Sequence, residues 1–310
     1  MFPAHTPVLA AEAMRLIGLR PGGLWIDATV GAGGHAALML AGTGPDGVVI
    51  GIDRDAEAIT YVTERFREFG SRFIAVKANF SETGRVMKTL NLPRARGILA
   101  DLGVSSMQVD TPGRGFSLRA PGPLDMRMDR DERPTAMDLI TQSDEETLAE
   151  VIRTLGEERA ARRVARAIKS GLKPGAIRDT VTLAEAVAAA AWKAKGSRIH
   201  PATKTFQAIR SAVNREPEAL DAFLKNLPSV AAPGGRAAVI SFQSIEDRAV
   251  KRAFAEYAAG CRCPPGLPVC ACGRKPRARV LSSGAVKPCS AEIEGNPRAR
   301  SGRLRAIEFL

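Results

Sequence analysis

LWIDATVGAGGH, Leu24 to His35, is the stretch on which the fold turns. LWIDATV is a short apolar run without alternation, as suits a strand buried on both faces. GAGG supplies a turn free of side chains, and HAALMLAG opens a helix. The rhythm returns at once in VVIGIDRD, Val48 to Asp55, followed by the helical stretch AEAITYVTERFREFG. Strand, turn, helix and strand make a βαβ unit. Further apolar runs at Phe73 to Val76 and Gly97 to Leu102 extend it into an open, doubly wound, mostly parallel sheet of the α/β class.

Ligands of such sheets sit beyond the carboxyl ends of the strands. Gly31, Gly33 and Gly34 allow close backbone approach to a ligand where the first helix begins. Asp53 ends the second strand, where a carboxylate can accept from both hydroxyls of a ribose, so the expected ligand carries a nucleoside. A nicotinamide cofactor would use the same parts, but its fingerprint wants a third glycine where this chain has Ala36, a replacement sometimes tolerated. Asp27, four positions before Gly31, tilts the reading to S-adenosylmethionine, whose positive methionyl end suits a carboxylate better than a pyrophosphate does. At the third strand's end Phe80 could lie against an adenine or fill the core. At the fourth, Asp101 to Ser106 offers a carboxylate and hydroxyls.

After Leu102 the strand rhythm stops. Val109 to Met128 is rich in Gly, Pro, Arg and Asp, and amphipathic helices follow, with capping-box spacing at Ser143 and Glu146 and at Thr182 and Glu185. The sheet resumes at AAPGGRAAVISF, Ala231 to Phe242. Ser244 with Asp247 can cap the next helix, and LRAIEFL, Leu304 to Leu310, supplies a last strand. The expected organisation is a discontinuous core, 1–108 and 214–310, around a helical insert, 109–213, that recognises substrate. The 310 residues carry 45 Lys and Arg against 33 Asp and Glu, a net charge of +12 that favours a polyanionic partner. No apolar run reaches the roughly 18 residues of a membrane span. A cytoplasmic protein without membrane partners is expected.

The motifs HTPVL at His5 to Leu9, GAGGH at Gly31 to His35, DLGVSSMQ at Asp101 to Gln108 and RGFS at Arg114 to Ser117 occur in this order. GPLDMRMD at Gly122 to Asp129, HPATKTFQAIR at His200 to Arg210, APGGR at Ala232 to Arg236 and NPRARS at Asn296 to Ser301 follow them. Together they resemble the family of small-subunit ribosomal RNA methyltransferases called RsmH or MraW, over nearly the whole chain. The resemblance implies a class I, Rossmann-like methyltransferase core with a helical insert. It also implies methyl transfer from S-adenosylmethionine to N4 of a cytidine in the decoding region of 16S ribosomal RNA. It assigns cofactor contacts to Gly33, Gly34, His35, Asp53, Phe80, Asp101 and Gln108. Two other readings stay open beside it: a non-catalytic ribosome-assembly protein that keeps the cofactor pocket, and a nicotinamide-dependent oxidoreductase. The family commonly has SFHSLEDR where this chain reads SFQSIEDR, so Gln243 stands in place of a histidine and cannot titrate.

Asp101 is the candidate catalytic residue, with a plain cofactor contact as its alternative. Arg114, Arg127, Lys204 and Arg210, in family-like strings, are candidate contacts to the RNA. The cysteines Cys261, Cys263, Cys270 and Cys272 could surround a tetrahedral metal, but C-x-C is tighter than the usual C-x2-4-C spacing, and no metal is assigned from the sequence.

Overall fold

The computed structural model describes residues 6–173, 175–191, 199–261, 263 and 271–310. It falls into two compact units, Met1–Gly103 with Glu218–Leu310, and Val104–Pro217. The strands are β1 Leu24–Asp27, β2 Val48–Asp53, β3 Phe73–Lys77, β4 Ala95–Asp101, β5 Ala231–Ser241, β6 Ala278–Val280 and β7 Arg303–Phe309. The helices before the second unit are α1 Ala10–Ile17, α2 Gly34–Thr43, α3 Ala56–Arg65 and α4 Thr83–Thr89. In the second unit lie α5 Ser106–Asp110, α6 Ala136–Gln142, α7 Glu145–Gly156, α8 Ala161–Leu172, α9 Thr180–Ala190 and α10 Thr203–Val213. The chain then runs through α11 Glu216–Val230, α12 Ser244–Ala258 and α13 Ser290–Gly295.

The first unit is built on one sheet in the order β3-β2-β1-β4-β5-β7-β6. β1 to β5 pair in parallel, and β7 runs antiparallel between β5 and β6. Because side chains alternate along a strand, the central strands feed two apolar layers. Leu24, Ile26, Ile50 and Ile98 join Phe223 and Leu227 of α11 and Phe254 of α12. Trp25, Val49, Leu99 and Ile240 join Ile17 of α1, Met39 of α2 and Val62 of α3. Trp25 is fully buried, and its ring explains Gly97 on the adjacent strand: a Cβ there would lie 2.4 Å from the indole. Truncating Trp25 to alanine removes that packing, at a cost of about 3–5 kcal/mol.

The second unit is helical. On α8, Ala161, Val164, Ala165 and Ile168 are buried at helical spacing, while Arg162, Arg163 and Arg166 are exposed. Its cations also close neighbouring helices: the Lys169 ammonium donates to the carbonyls of Ile140, Thr141 and Ser143 after α6, and Arg163 to that of Ala190 ending α9.

Three expected caps are corrected. α7 is capped by Asp144, which accepts from the Thr147 amide, in place of Ser143. α9 is capped by Asp179 in a reciprocal pair with Thr182, so Thr182 is third in the helix and not its cap. α12 begins behind Gln243, whose side chain and that of Glu246 exchange bonds with each other's backbone. Asp247 instead pairs with Arg303 and Arg305 of β7. In the first two cases a neighbouring carboxylate supplied a better acceptor than the hydroxyl. No helix among the described residues is long and apolar enough to cross a membrane.

Candidate active site

The carboxyl ends of β1, β2 and β4 each close on an aspartate, Asp27, Asp53 and Asp101. After β1 the chain turns through Gly31 and Gly33, at φ of 48° and 80°, a conformation that favours glycine. A Cβ on Gly33 would also sit 2.6 Å from the Phe66 ring. The loop is held from three sides. The Gly31 amide donates to Asp53 Oδ2 at 2.9 Å, the Val30 amide to the Ile52 carbonyl, and the Arg65 guanidinium to the Ala32 carbonyl. Gly33 is then the N-cap of α2, with no side chain over the first turn of amides.

Asp53 also accepts from the Asp55 amide through Oδ1 at 2.9 Å, so its carboxylate is fixed at both oxygens while each keeps acceptor capacity. Asp27 accepts from the Thr29 amide through Oδ1, and its buried Oδ2 makes no hydrogen bond. The Thr29 hydroxyl oxygen accepts from the Asp101 amide at 2.7 Å, tying the end of β4 to the turn after β1. Asp101 Oδ1 is likewise buried without a hydrogen bond.

Burial dominates the titration of all three. It lifts Asp27 to about 7, with the charge of Asp53 adding to the effect. It lifts Asp53 to about 6 against the amides of Asp55 and Gly31. It raises Asp101 well above the ordinary carboxylate range, helped by the charges of Asp27 and Glu246. Three desolvated acids with oxygens left over form a place where positive charge and hydrogen-bond donors are stabilised.

His35, in the first turn of α2, is buried, and its Nε2 donates to the Val8 carbonyl at 3.0 Å. A carbonyl only accepts, so Nε2 carries a hydrogen, and Nδ1 lies 3.8 Å from Asp101 Oδ2. Phe80 follows β3, half-buried, edge-on to Phe223 at 5.4 Å. Gly34 backs onto Pro7, where a Cβ would lie 3.2 Å from the ring. The first unit therefore gathers six of the seven residues expected at the cofactor. Gln108 belongs to the second unit, where it is buried and closes a capping box at the start of α5 by accepting from the Ser105 amide.

Three of the four candidate RNA contacts are engaged inside the helical unit. Arg114 is 2% exposed and donates to the carbonyls of Arg127 and Met128. Arg127 forms a two-pronged pair with Asp125, and Arg210 one with Glu216. These three guanidinium groups are engaged within the helical unit, although Arg114 Nε is buried without a hydrogen bond. Lys204 remains exposed, with its ammonium on the Glu157 carbonyl. His5 lies outside the described residues.

Sequence reading missed Thr29, Arg65 and Glu246. Glu246 accepts from the amides of Phe242 and Gln243 at the end of β5 and adds negative charge near Asp101. Its place three residues after the helix cap was the signal available. Gln243, where the family has histidine, is engaged in that same capping box. In the second unit Phe116, Leu118, Met126 and Phe206 line a half-open apolar cavity of about 130 Å³, with Gln207 and Arg210 at its polar edge.

The sheet order, the antiparallel β7 and the acids at the strand ends define a class I methyltransferase. The amino-acid sequence carries this further: residues 3–310 match the model of the MraW methylase family, and the chain belongs to that family. It is similar to the protein named ribosomal RNA small subunit methyltransferase H in Anaeromyxobacter sp. (strain K), with 50% identity over 307 residues, 99% of this chain and 98% of that one. The protein of the same name in Geobacter sulfurreducens is 47% identical over 311 residues, 99% of each chain.

Proposed function

We propose that this enzyme transfers a methyl group from S-adenosylmethionine to N4 of a cytidine in the decoding region of 16S ribosomal RNA, within the cytoplasmic small ribosomal subunit or its precursor. The observation that carries the reading is the trio of strand-end carboxylates, Asp27 buried and Asp53 and Asp101 half-buried, two of which keep a buried oxygen without a hydrogen bond. These residues fit S-adenosylmethionine, which bears two positive groups and a ribose. In this reading Asp53 accepts from the ribose hydroxyls, Asp27 and Asp101 face the cationic methionyl end, and Gly33 and Gly34 keep the approach open. Phe80 supplies an apolar edge for the adenine. The cofactor provides an electrophilic methyl group on a sulfonium.

The chain's own work is then positioning and proton handling. The N4 lone pair of cytosine is delocalised into its ring, so the amine needs an acceptor that turns it toward the methyl group. Asp101, with an available oxygen and a raised proton affinity, can accept from N4 and hold the proton released when the N–C bond forms. Gln243 takes no part in proton transfer. RNA recognition is assigned to the helical unit Val104–Pro217, whose apolar cavity with a polar edge suits an aromatic base drawn out of its stack.

The test is transfer of labelled methyl from S-adenosylmethionine to small subunits that lack the modification, with nuclease digestion and mass mapping of the product. Label on cytidine N4 is expected. Cofactor binding without label on subunits, precursors or free RNA overturns the proposal in favour of a non-catalytic assembly role.

A further inference from the structure

Beyond the crevice, the segment that joins α12 to β6 brings together Cys261, Cys263 and Cys272, whose sulfurs all lie within 4.8 Å of one another. We propose that these three cysteines form a thiolate site for a zinc-class divalent cation, which ties the chain just after α12 to the chain just before β6.

The distances discriminate between two fates for neighbouring thiols. The Sγ atoms of Cys261 and Cys272 are 3.7 Å apart, and neither residue is in a disulfide, whose sulfurs stand about 2.05 Å apart. Zinc bonds to sulfur are about 2.3 Å, and a tetrahedron with such bonds separates its sulfurs by about 3.8 Å. The observed spacing is thus that of two corners of a zinc–thiolate tetrahedron. The C-x-C spacing, which looks too tight in the sequence, is met by a turn: the Cys263 amide donates to Cys261 Sγ at 3.4 Å, so the first sulfur folds back over the backbone toward the second. Amides aimed at sulfur stabilise the thiolate that a metal requires. Cys270 lies outside the described residues, and no part of the argument rests on it.

The ends of the segment are already anchored. The Arg274 guanidinium donates to the carbonyl and carboxylate of Glu256 on α12, and the Arg277 amide donates to the Tyr257 carbonyl. A metal between Cys261 and Cys272 closes the loop just inside these anchors. Among the described residues no carboxylate or imidazole joins the cluster, so an all-sulfur donor set selects a soft cation over magnesium or calcium.

The experiment uses the full chain, purified reduced and without chelator, with bound metal measured by mass spectrometry and cobalt(II) as a spectroscopic probe. About one zinc per chain is expected, together with the intense visible bands of tetrahedral cobalt on thiolates. Cys263→Ser and Cys272→Ser should each lower zinc content at least about tenfold under competition with a chelator. Cys289→Ser, which removes an exposed thiol outside the cluster, should keep the wild-type content. If the serine variants fold poorly, the cobalt titration of the wild type still decides. Reduced wild-type chain that stays metal-free and gives no tetrahedral cobalt bands overturns the proposal, as does equal metal loss in Cys289→Ser.

Discussion

Charged side chains are buried in both units, but to opposite ends. In the helical unit Arg127 and Arg210 are half-buried and matched by the carboxylates of Asp125 and Glu216. In the sheet unit Asp27 is buried and Asp101 half-buried, each with a buried oxygen left without a hydrogen bond, and among the described residues no Lys or Arg pairs with either. A saturated buried charge is part of the architecture. An acid with acceptor capacity in hand is poised for something the chain does not contain, which under the proposed function is a cationic nucleoside.

The contrast predicts where substitutions act, and the largest effect belongs to the crevice. Asp53→Ala removes the acceptor for a ribose and the anchor of the Gly31 amide, so the Kd for S-adenosylmethionine should rise by at least about 100-fold in calorimetry. A change below threefold would remove Asp53 from the site. Asp101→Asn keeps the shape but not the charge. If this group orients N4, kcat should fall by about 100-fold while cofactor affinity changes far less. Equal losses in both would make Asp101 a binding residue only.

Titration sharpens the same contrast. Asp27 and Asp53 are raised to about 7 and about 6 from 3.8, so between pH 4 and 7 the folded apo protein binds more protons than the unfolded chain. Stability from these groups is full below the unfolded value and is lost as pH rises through the folded ones. The apo melting temperature should therefore decline from pH 5 to pH 7.5 as these groups ionise, and cofactor affinity should rise over the same interval. Affinity that is flat across this range would sink the idea that these acids receive positive charge. Gly33→Ala forces a left-handed residue against Phe66 and should destabilise the sheet unit by about 1–3 kcal/mol in urea unfolding. The smallest change is expected at Lys204, exposed on a backbone carbonyl: Lys204→Ala should leave stability within about 0.5 kcal/mol.

The first two strands, the glycine turn and the two helices behind them were legible because apolar runs and punctuation coincide within a few residues. Asp27, Asp53 and Asp101 could be placed at strand ends for the same reason. What the sequence hid was mostly non-local. Nothing in the string links Thr29 to the Asp101 amide or His35 to the Val8 carbonyl. The burial of Arg114 depends on a loop wrapping back so that carbonyls 13 and 14 residues away meet its guanidinium. β6, only three residues long, carries no periodicity to detect. The misplaced caps are a local error: at α7 and α9 a hydroxyl at the right spacing was chosen over a carboxylate within three residues of it, and at α12 over Gln243.

The position of β7 constrains how the chain can be assembled. Among the described residues β6 has β7 as its only neighbour in the sheet, and β7 is made after it. During synthesis the parallel strands can register early, but the far edge waits until the final strand slots between β5 and β6. Until then β5 presents an unpaired edge to its surroundings, a natural docking place for a chaperone and a hazard if translation stalls. An enzyme built this way completes its sheet only once β7 has been made and has paired on both sides.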